Sequence, residues 1–212
     1  MKVLNLYAGI GGNRKLWTDI EVTAVENNPE IAKIYQDFFP DDTVIIDDAH
    51  QYLLDHFKEY DFIWSSPPCP THSRMENIHW GQGYDVRYPD MTLYQEIILL
   101  QHRFKGKYCV ENVISYYKPL IQPIESNSHY FWTNFYFSSL KNESRKINTG
   151  FNNFGNQRVE MLGINLDKYN VSKSLKEKMI NNCVEPEVGL HILNTAIERT
   201  DTRKFTQIGL EI

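Results

Sequence analysis

The sequence predicts an α/β protein built on a doubly wound, mostly parallel central sheet. Three observations predict it. Short apolar runs alternate with helix-like stretches along the first half of the chain. The first run passes straight into the glycine turn Gly9-Ile10-Gly11-Gly12. The residues able to do chemistry collect at the ends of the apolar runs, and a sheet of this kind binds its ligands beyond the carboxyl ends of its strands.

In chain order, the strands are expected over Lys2–Tyr7, Val22–Glu26, Thr43–Ile46, Asp61–Ser65, Lys107–Glu111 and His129–Phe137. Each is a short apolar run bounded by polar or turn-forming residues. Helices are expected over Asn13–Asp19, Pro29–Phe39, His50–Phe57 and Thr92–Arg103, where apolar residues recur at helical spacing. Pro29 suits a first helical turn because its missing N–H is not needed there. Thr71–Pro89 is polar and aromatic and reads as a long loop, a length that in compact domains usually serves function. Lys141–Gly155, rich in Asn, Ser and Lys, reads as an exposed connection. Leu175–Ile180 and Val188–Glu198 are amphipathic pieces expected to close the domain.

A chain of 212 residues can bury one substantial core, so residues 1–212 are expected to form a single domain. With 42% hydrophobic and 23% charged residues, the composition is that of a globular protein. No run is long enough to span a membrane and no leader pattern opens the chain, so the cell interior is the expected location. The three cysteines, Cys69, Cys109 and Cys183, lack metal-site spacing, and no metal or disulfide framework is expected. A formal charge of −5 argues against indiscriminate binding of nucleic acid, which runs on phosphate neutralisation. The charge is unevenly spread, however. Acidic residues crowd the first sixty positions, whereas Arg74, Arg87, Arg103, Lys105, Lys107, Arg145, Lys146 and Arg158 follow later. This asymmetry suits a cofactor half and a substrate half.

Three items stand at strand ends: the glycine turn, the thiol in Ser66-Pro67-Pro68-Cys69-Pro70, and the carboxylate in Glu111-Asn112-Val113. They make a cofactor cradle, a nucleophile and an acid. Glycines let the backbone approach a ligand and adopt positive φ. Glu26, ending the second strand, can accept from both hydroxyls of a ribose. Asp48 can accept from an adenine amino group, and Tyr7 offers a ring face. On these residues alone, NAD and S-adenosyl-L-methionine fit equally.

The order of these motifs resembles the DNA (cytosine-5) methyltransferases. Tyr7-Ala8-Gly9-Ile10-Gly11-Gly12 is similar to that family's first motif, usually Phe-Ala-Gly-x-Gly-Gly; Pro67-Pro68-Cys69 and Glu111-Asn112-Val113 match its nucleophile and acid motifs. The resemblance implies a Rossmann-like class I S-adenosylmethionine-dependent methyltransferase fold, with S-adenosyl-L-methionine as cofactor. Tyr7, Ala8, Gly9, Gly11, Gly12, Glu26, Asn27, Asp48 and Pro67 would bind it. Asn182 and Val184, in Asn181-Asn182-Cys183-Val184, look like the family's final Gly-Asn-Ser-Val motif and would close the same pocket beside the first strand. Cys69 would attack carbon 6 of cytosine, Glu111 would hold the Watson–Crick edge, and Pro68, Ser73, Arg74 and Asn112 would contact substrate or brace the loop. Amino-methyltransferases instead carry an aromatic residue after Pro-Pro, where a base stacks and no covalent step is needed. Oriented backbone donors at the Pro-Pro-Cys corner are expected to lower the thiol pKa.

The chain departs from the family in three places. Pro70 stands where Gln usually follows the nucleophile. Asn156-Gln157-Arg158-Val159-Glu160 is the nearest match to Gln-x-Arg-x-Arg and lacks its second arginine, leaving Arg158 as the expected contact to the target nucleotide. Only about twenty residues separate Arg158 from Asn182, where the family carries a large target-recognition domain. A remnant would lie within 141–180; otherwise Thr71–Pro89 and Phe131–Asn153, a protein partner or a second copy of the chain would read the target. The implied substrate is cytosine in DNA. Two alternatives stand beside it: the same chemistry on RNA, and a non-catalytic, partner-dependent nucleic-acid-binding module. Cys69, Glu111 and Glu26 argue against the last.

Overall fold

The structure is a computed structural model that describes residues 1–74, 81–83, 85, 87–140, 159 and 162–198. Seven strands form one sheet: β1 (Lys2–Leu6), β2 (Glu21–Val25), β3 (Thr43–Ile45), β4 (Phe62–Ser65), β5 (Lys107–Val113), β6 (Ile124–Ser126) and β7 (His129–Thr133). Helices flanking it among the described residues include α1 (Pro29–Phe38), α2 (Ala49–His56), α3 (Thr92–Arg103), α4 (Lys173–Asn181) and α5 (Pro186–Ala196). The sheet order is β3-β2-β1-β4-β5-β7-β6. Strands β1 to β5 are parallel, and β7 is antiparallel to both β5 and β6.

Parallel strands are covered on both faces and therefore read as continuous apolar runs. Phe62-Ile63-Trp64-Ser65 is buried throughout. Alternate residues face opposite layers. Leu4, Leu6, Ile63 and Val110 pack with Leu53 of α2 and Leu93, Ile97 and Leu100 of α3. Val3, Trp64, Cys109 and Phe131 pack on the other face with Val188, Ile192 and Leu193 of α5. α1 joins that second face through Tyr35, which packs on Ala24. The chain runs outward from β1 through β2 to β3, then returns to β4 on the other side of β1. The order reverses between β1 and β4, which opens a crevice beyond their carboxyl ends.

The helix starts follow local chemistry. Asn28 caps α1, its Oδ1 accepting from Glu30 N at 2.9 Å and Ile31 N at 3.2 Å, with Pro29 in the first turn. Asp48 caps α2 by accepting from Gln51 N at 2.8 Å.

Two expectations are corrected. Asn13–Asp19 is not a helix but a succession of turns, with Arg14 N donating to Gly11 O and Trp17 N to Arg14 O. Side chains hold it in that form. Asn13 Nδ2 donates to Asn5 Oδ1 at 2.9 Å, and Arg14 Nη1 donates to Trp17 O at 2.7 Å. The expected strand His129–Phe137 forms as the shorter β7, His129–Thr133, and it is one arm of a hairpin whose other arm, β6, is not among the expected strands. β6 and β7 are joined by Asn127 and Ser128, at φ of 51° and 65°. A two-residue turn with both φ positive matches the strand twist, but Asn-Ser lacks the glycine that usually announces it. β5 also runs two residues past Glu111, because β7 pairs with it as far as Val113. Among the described residues no helix is long and apolar enough to cross a membrane.

A buried ionic cluster secures the first turn region. Arg14 holds Asp42 through Nε at 2.8 Å and Nη2 at 2.9 Å, and Tyr35 donates to the same carboxylate at 2.8 Å. Both charges are shielded, at 13% and 3% side-chain exposure. Removing one partner strands the other. Asp42→Ala should therefore lower unfolding free energy by about 3 kcal/mol or more, measured by urea denaturation; a loss below about 1 kcal/mol would show the pair to be only a surface bridge.

Candidate active site

The cofactor side is built from the ends of β1 and β2. Tyr7 takes a positive φ of 54°, Gly9 55° and Gly11 76°, so the chain turns back sharply after β1. Ala8 N donates to Val25 O at 3.0 Å, tying the turn to the end of β2. Glu26 is buried, and both its oxygens accept backbone N–H groups: Gly9 N at 3.0 Å and Asn28 N at 2.9 Å. A side chain at Gly9 would meet nothing within 4 Å, so open space lies beside this carboxylate. Gly12 has none: a Cβ there would stand 2.6 Å from Val184 O and 2.8 Å from Cys183 Cβ. The Asn182–Val184 segment thus packs under the glycine turn beside β1. Val184 is a core side chain and Asn182 is the exposed C-cap of α4, so this segment supports the turn through its backbone. Asn27 is exposed, and the capping residue is its neighbour Asn28. Asp48 is exposed at the mouth of the crevice while it caps α2.

A second buried carboxylate, Glu96 of α3, joins four elements. It accepts Tyr7 Oη at 2.6 Å and His50 Nδ1 at 3.0 Å on Oε1, and the Ser65 hydroxyl on Oε2. Its side chain is fully buried. This network fixes the ends of β1 and β4 and the start of α2 against α3. The hydrogen bond to Glu96, above all, raises the pKa of His50. The sequence did carry a signal for Glu96: it lies among Leu93, Tyr94, Ile97 and Leu100 on the apolar face of α3, where an unpaired carboxylate cannot stand.

The chemical side follows β4 and β5. Pro67 is buried and Pro68 exposed; Asn112 Nδ2 donates to Pro67 O at 3.0 Å, so Asn112 braces the Pro-Pro-Cys corner from β5. Cys69 is partly exposed, and its carbonyl accepts from His72 N and Ser73 N, both at 3.0 Å. His72 is buried, with Nδ1 2.6 Å from Tyr117 Oη, and Tyr116 N donates to the His72 carbonyl at 3.0 Å. Ser73 bridges to Ser115. The segment after Cys69 is therefore fastened to the segment after Glu-Asn-Val. Arg74 is exposed beyond it. Arg158 lies outside the described residues, as do parts of Thr71–Pro89 and most of 141–180.

Glu111 lies on the face of β5 that carries Cys109 and is buried. Trp64 Nε1 donates to Ser66 Oγ at 2.9 Å, which turns the Ser66 hydroxyl hydrogen toward Glu111. His129 Nε2 lies 3.7 Å from Glu111 Oε1. Burial raises the Glu111 pKa, His129 and Ser66 oppose the rise, and the Glu185 carboxylate adds to it. The Cys69 thiol departs from expectation: its pKa is raised, by burial first and then by the charge of Glu111, and the backbone donor only partly offsets this. Cys69 and Glu111 thus resist carrying negative charge together. Cys109 and Cys183 are buried. Sequence reasoning missed His50, Ser66, Glu96, His129 and Glu185, which enter the site only through packing.

The comparisons with known proteins agree with this geometry. The family model of the C-5 cytosine-specific DNA methylases matches residues 1–119, which span the glycine turn, Cys69 and Glu111. The chain belongs to this family. Its Rossmann-like methyltransferase fold is shared by the Entamoeba histolytica methyltransferase EhMeth, with a TM-score of 0.59, 10% identity, and coverage of 93% of this chain and 98% of that one. A DNMT2 mutant from Spodoptera frugiperda is 26% identical over 53% of this chain and 35% of its own, with a TM-score of 0.38. No curated protein sequence matches the chain.

Two outcomes follow from the electrostatics. An imidazole whose folded pKa lies above its unfolded value adds stability that is complete below about pH 6.5 and is lost as pH rises through the folded value. The unfolding midpoint should accordingly fall with pH just above that point, and His50→Gln should flatten this step; an identical slope in the variant would remove His50 from the account. Alkylation of Cys69 by iodoacetamide should be slow at neutral pH, and Glu111→Gln should accelerate it by lifting the opposing charge. An unchanged rate would separate the two groups.

Proposed function

We propose that the protein transfers a methyl group from S-adenosyl-L-methionine to carbon 5 of cytosine in DNA, with the base flipped out of the stack. The observation that carries this reading is the pairing of the part-exposed Cys69 thiol, whose pKa the charge of Glu111 raises, with that buried carboxyl, within a family match covering both. The residues present fit the cofactor. Gly9 borders open space beside Glu26, whose oxygens each keep an acceptor site for a ribose hydroxyl. Tyr7 and Asp48 flank the same crevice. When bound, S-adenosyl-L-methionine supplies an electrophilic methyl group on a sulfonium centre.

The chain's own residues prepare the base to receive it. Carbon 5 of cytosine is not nucleophilic until a thiolate adds at carbon 6. Cys69 makes that bond as Glu111 gives its proton to ring nitrogen 3, so the electron pair comes to rest at carbon 5. Burial shifts Glu111 toward its protonated form, and a protonated carboxyl does not oppose the thiolate. Loss of the carbon 5 proton to a base then expels the thiolate, and nitrogen 3 returns its proton to Glu111. Asn112 holds the Pro67 carbonyl and so sets the height of Cys69 over the ring. Pro68, Ser73 and Arg74 sit where flanking nucleotide would pass, and Arg158 remains the candidate contact to the target base. A partner or second copy would add target reading beyond this surface.

The test offers labelled S-adenosyl-L-methionine with duplex DNA, single-stranded DNA and RNA, and identifies the methylated nucleoside. 5-Methylcytosine in DNA is expected, and 5-methylcytosine in RNA alone would reassign the substrate. Cys69→Ser should abolish transfer while sparing cofactor binding, and Glu111→Gln should slow it by about a hundredfold or more. Retained turnover in Cys69→Ser would overturn the covalent route, which a 5-fluorocytosine substrate should otherwise trap as a mass shift on Cys69.

A further inference from the structure

Glu111 is buried, yet the proposed chemistry requires it to give up and regain a proton in every turnover. Its surroundings define the route. β7 runs antiparallel to β5, with Phe131 opposite Glu111 and His129 opposite Val113. Side chains alternate between faces, so His129 stands on the same face as Glu111, one diagonal step along the sheet. His129 Nε2 lies 3.7 Å from Glu111 Oε1. The other ring nitrogen, Nδ1, is 3.1 Å from the Asn127 carbonyl oxygen, which can only accept. Nδ1 therefore carries its hydrogen, and Nε2 is the nitrogen turned to the carboxyl group. The side chain of His129 is 18% exposed and that of Glu111 8%, so the ring reaches from the rim to the buried group.

The groups facing Glu111 come from three directions. They are the Ser66 hydroxyl and Cys69 thiol from the segment after β4, Glu185 from the start of α5, and His129 from β7. Glu185 is held in turn by Asn127 Nδ2 at 3.3 Å. Of these, the imidazole alone can be a neutral base beside a protonated carboxyl and a cation beside a carboxylate.

We infer that His129 is a positioning residue for Glu111: its Nε2 orients the carboxyl group and takes up a proton from water to neutralise the carboxylate left when nitrogen 3 is protonated. The inference rests on the reading of Glu111 as the acid at nitrogen 3. The proton balance closes. When nitrogen 3 takes the Glu111 proton, a carboxylate is left beside Nε2, and a proton taken up there from water forms an imidazolium that neutralises it. When nitrogen 3 returns its proton on elimination, the imidazolium releases one to water. The cycle consumes no proton.

Two measurements test this on the full chain. The first needs no substrate. Histidine-labelled protein is titrated by NMR, the His129 resonance being assigned from its absence in His129→Gln. In Glu111→Gln the midpoint of the His129 titration should move, because a facing carboxyl group is removed; an unchanged midpoint would overturn the pairing. The second follows methyl transfer to DNA against pH. His129→Gln should lower kcat by about tenfold to a hundredfold with KM little changed, and should displace the acid limb of the profile. Added imidazole should restore part of the rate in His129→Gly. A wild-type kcat profile in His129→Gln would overturn the role in proton exchange. An inactive wild-type chain with coupled His129 titration would instead overturn the reading of Glu111 and leave the pair standing.

Discussion

Three buried carboxylates near the carboxyl ends of the inner strands set the terms for the rest of this molecule, because a buried carboxylate must be satisfied or neutralised. Glu26 is satisfied by two backbone N–H groups, so it fixes the glycine turn to the start of α1. Glu96 is satisfied by three side-chain donors from β1, β4 and α2, so it fixes the strand ends against α3. Glu111 receives the Ser66 hydroxyl and a more distant imidazole, and it lies near a second carboxylate. The first two are structural anchors. Burial tilts the third toward its protonated form, the direction that the proposed acid role calls for.

Charge sharing between Cys69 and Glu111 gives the site its logic. The charge of Glu111 raises the pKa of Cys69, so a negative charge on both groups at once is disfavoured. Thiolate with carboxylic acid and thiol with carboxylate are the two arrangements available, and only the first can attack a pyrimidine ring. In the proposed reaction, a base that accepts from Glu111 selects that first arrangement, which would couple substrate binding to thiol activation.

Rigidity is distributed to match. His72 sits in a tyrosine cluster with Tyr94 and Tyr117, the Ser73–Ser115 bridge lies beside it, and Asn112 holds the Pro67 carbonyl. The nucleophile's corner and the acid's strand therefore behave as one body. Burial of His72 lowers its pKa and keeps its ring neutral among those tyrosines. Beneath the cofactor turn, the Arg14–Asp42–Tyr35 cluster and the close approach of Gly189 to Asn13 hold the other half.

The sequence by itself determined the strands and helices of the first 113 residues nearly to their ends, because parallel strands are apolar throughout and helices begin at recognisable caps. It also determined the thiol, the acid and the glycine turn, since each lies within a short run whose order is informative. It misassigned Asn13–Asp19, where Asn and Arg side chains compete with a helix, and it missed β6, a strand of three residues joined by a turn without glycine. Tertiary structure alone decided the electrostatics. The Cys69 pKa follows from burial and from a carboxylate forty-two positions away in the chain, opposite to what the local corner predicts. Glu96, His129 and Glu185 enter the site from α3, β7 and α5 because strand register and helix packing bring them there. Local spacing encodes which element forms, whereas a pKa depends on everything that surrounds a group in space.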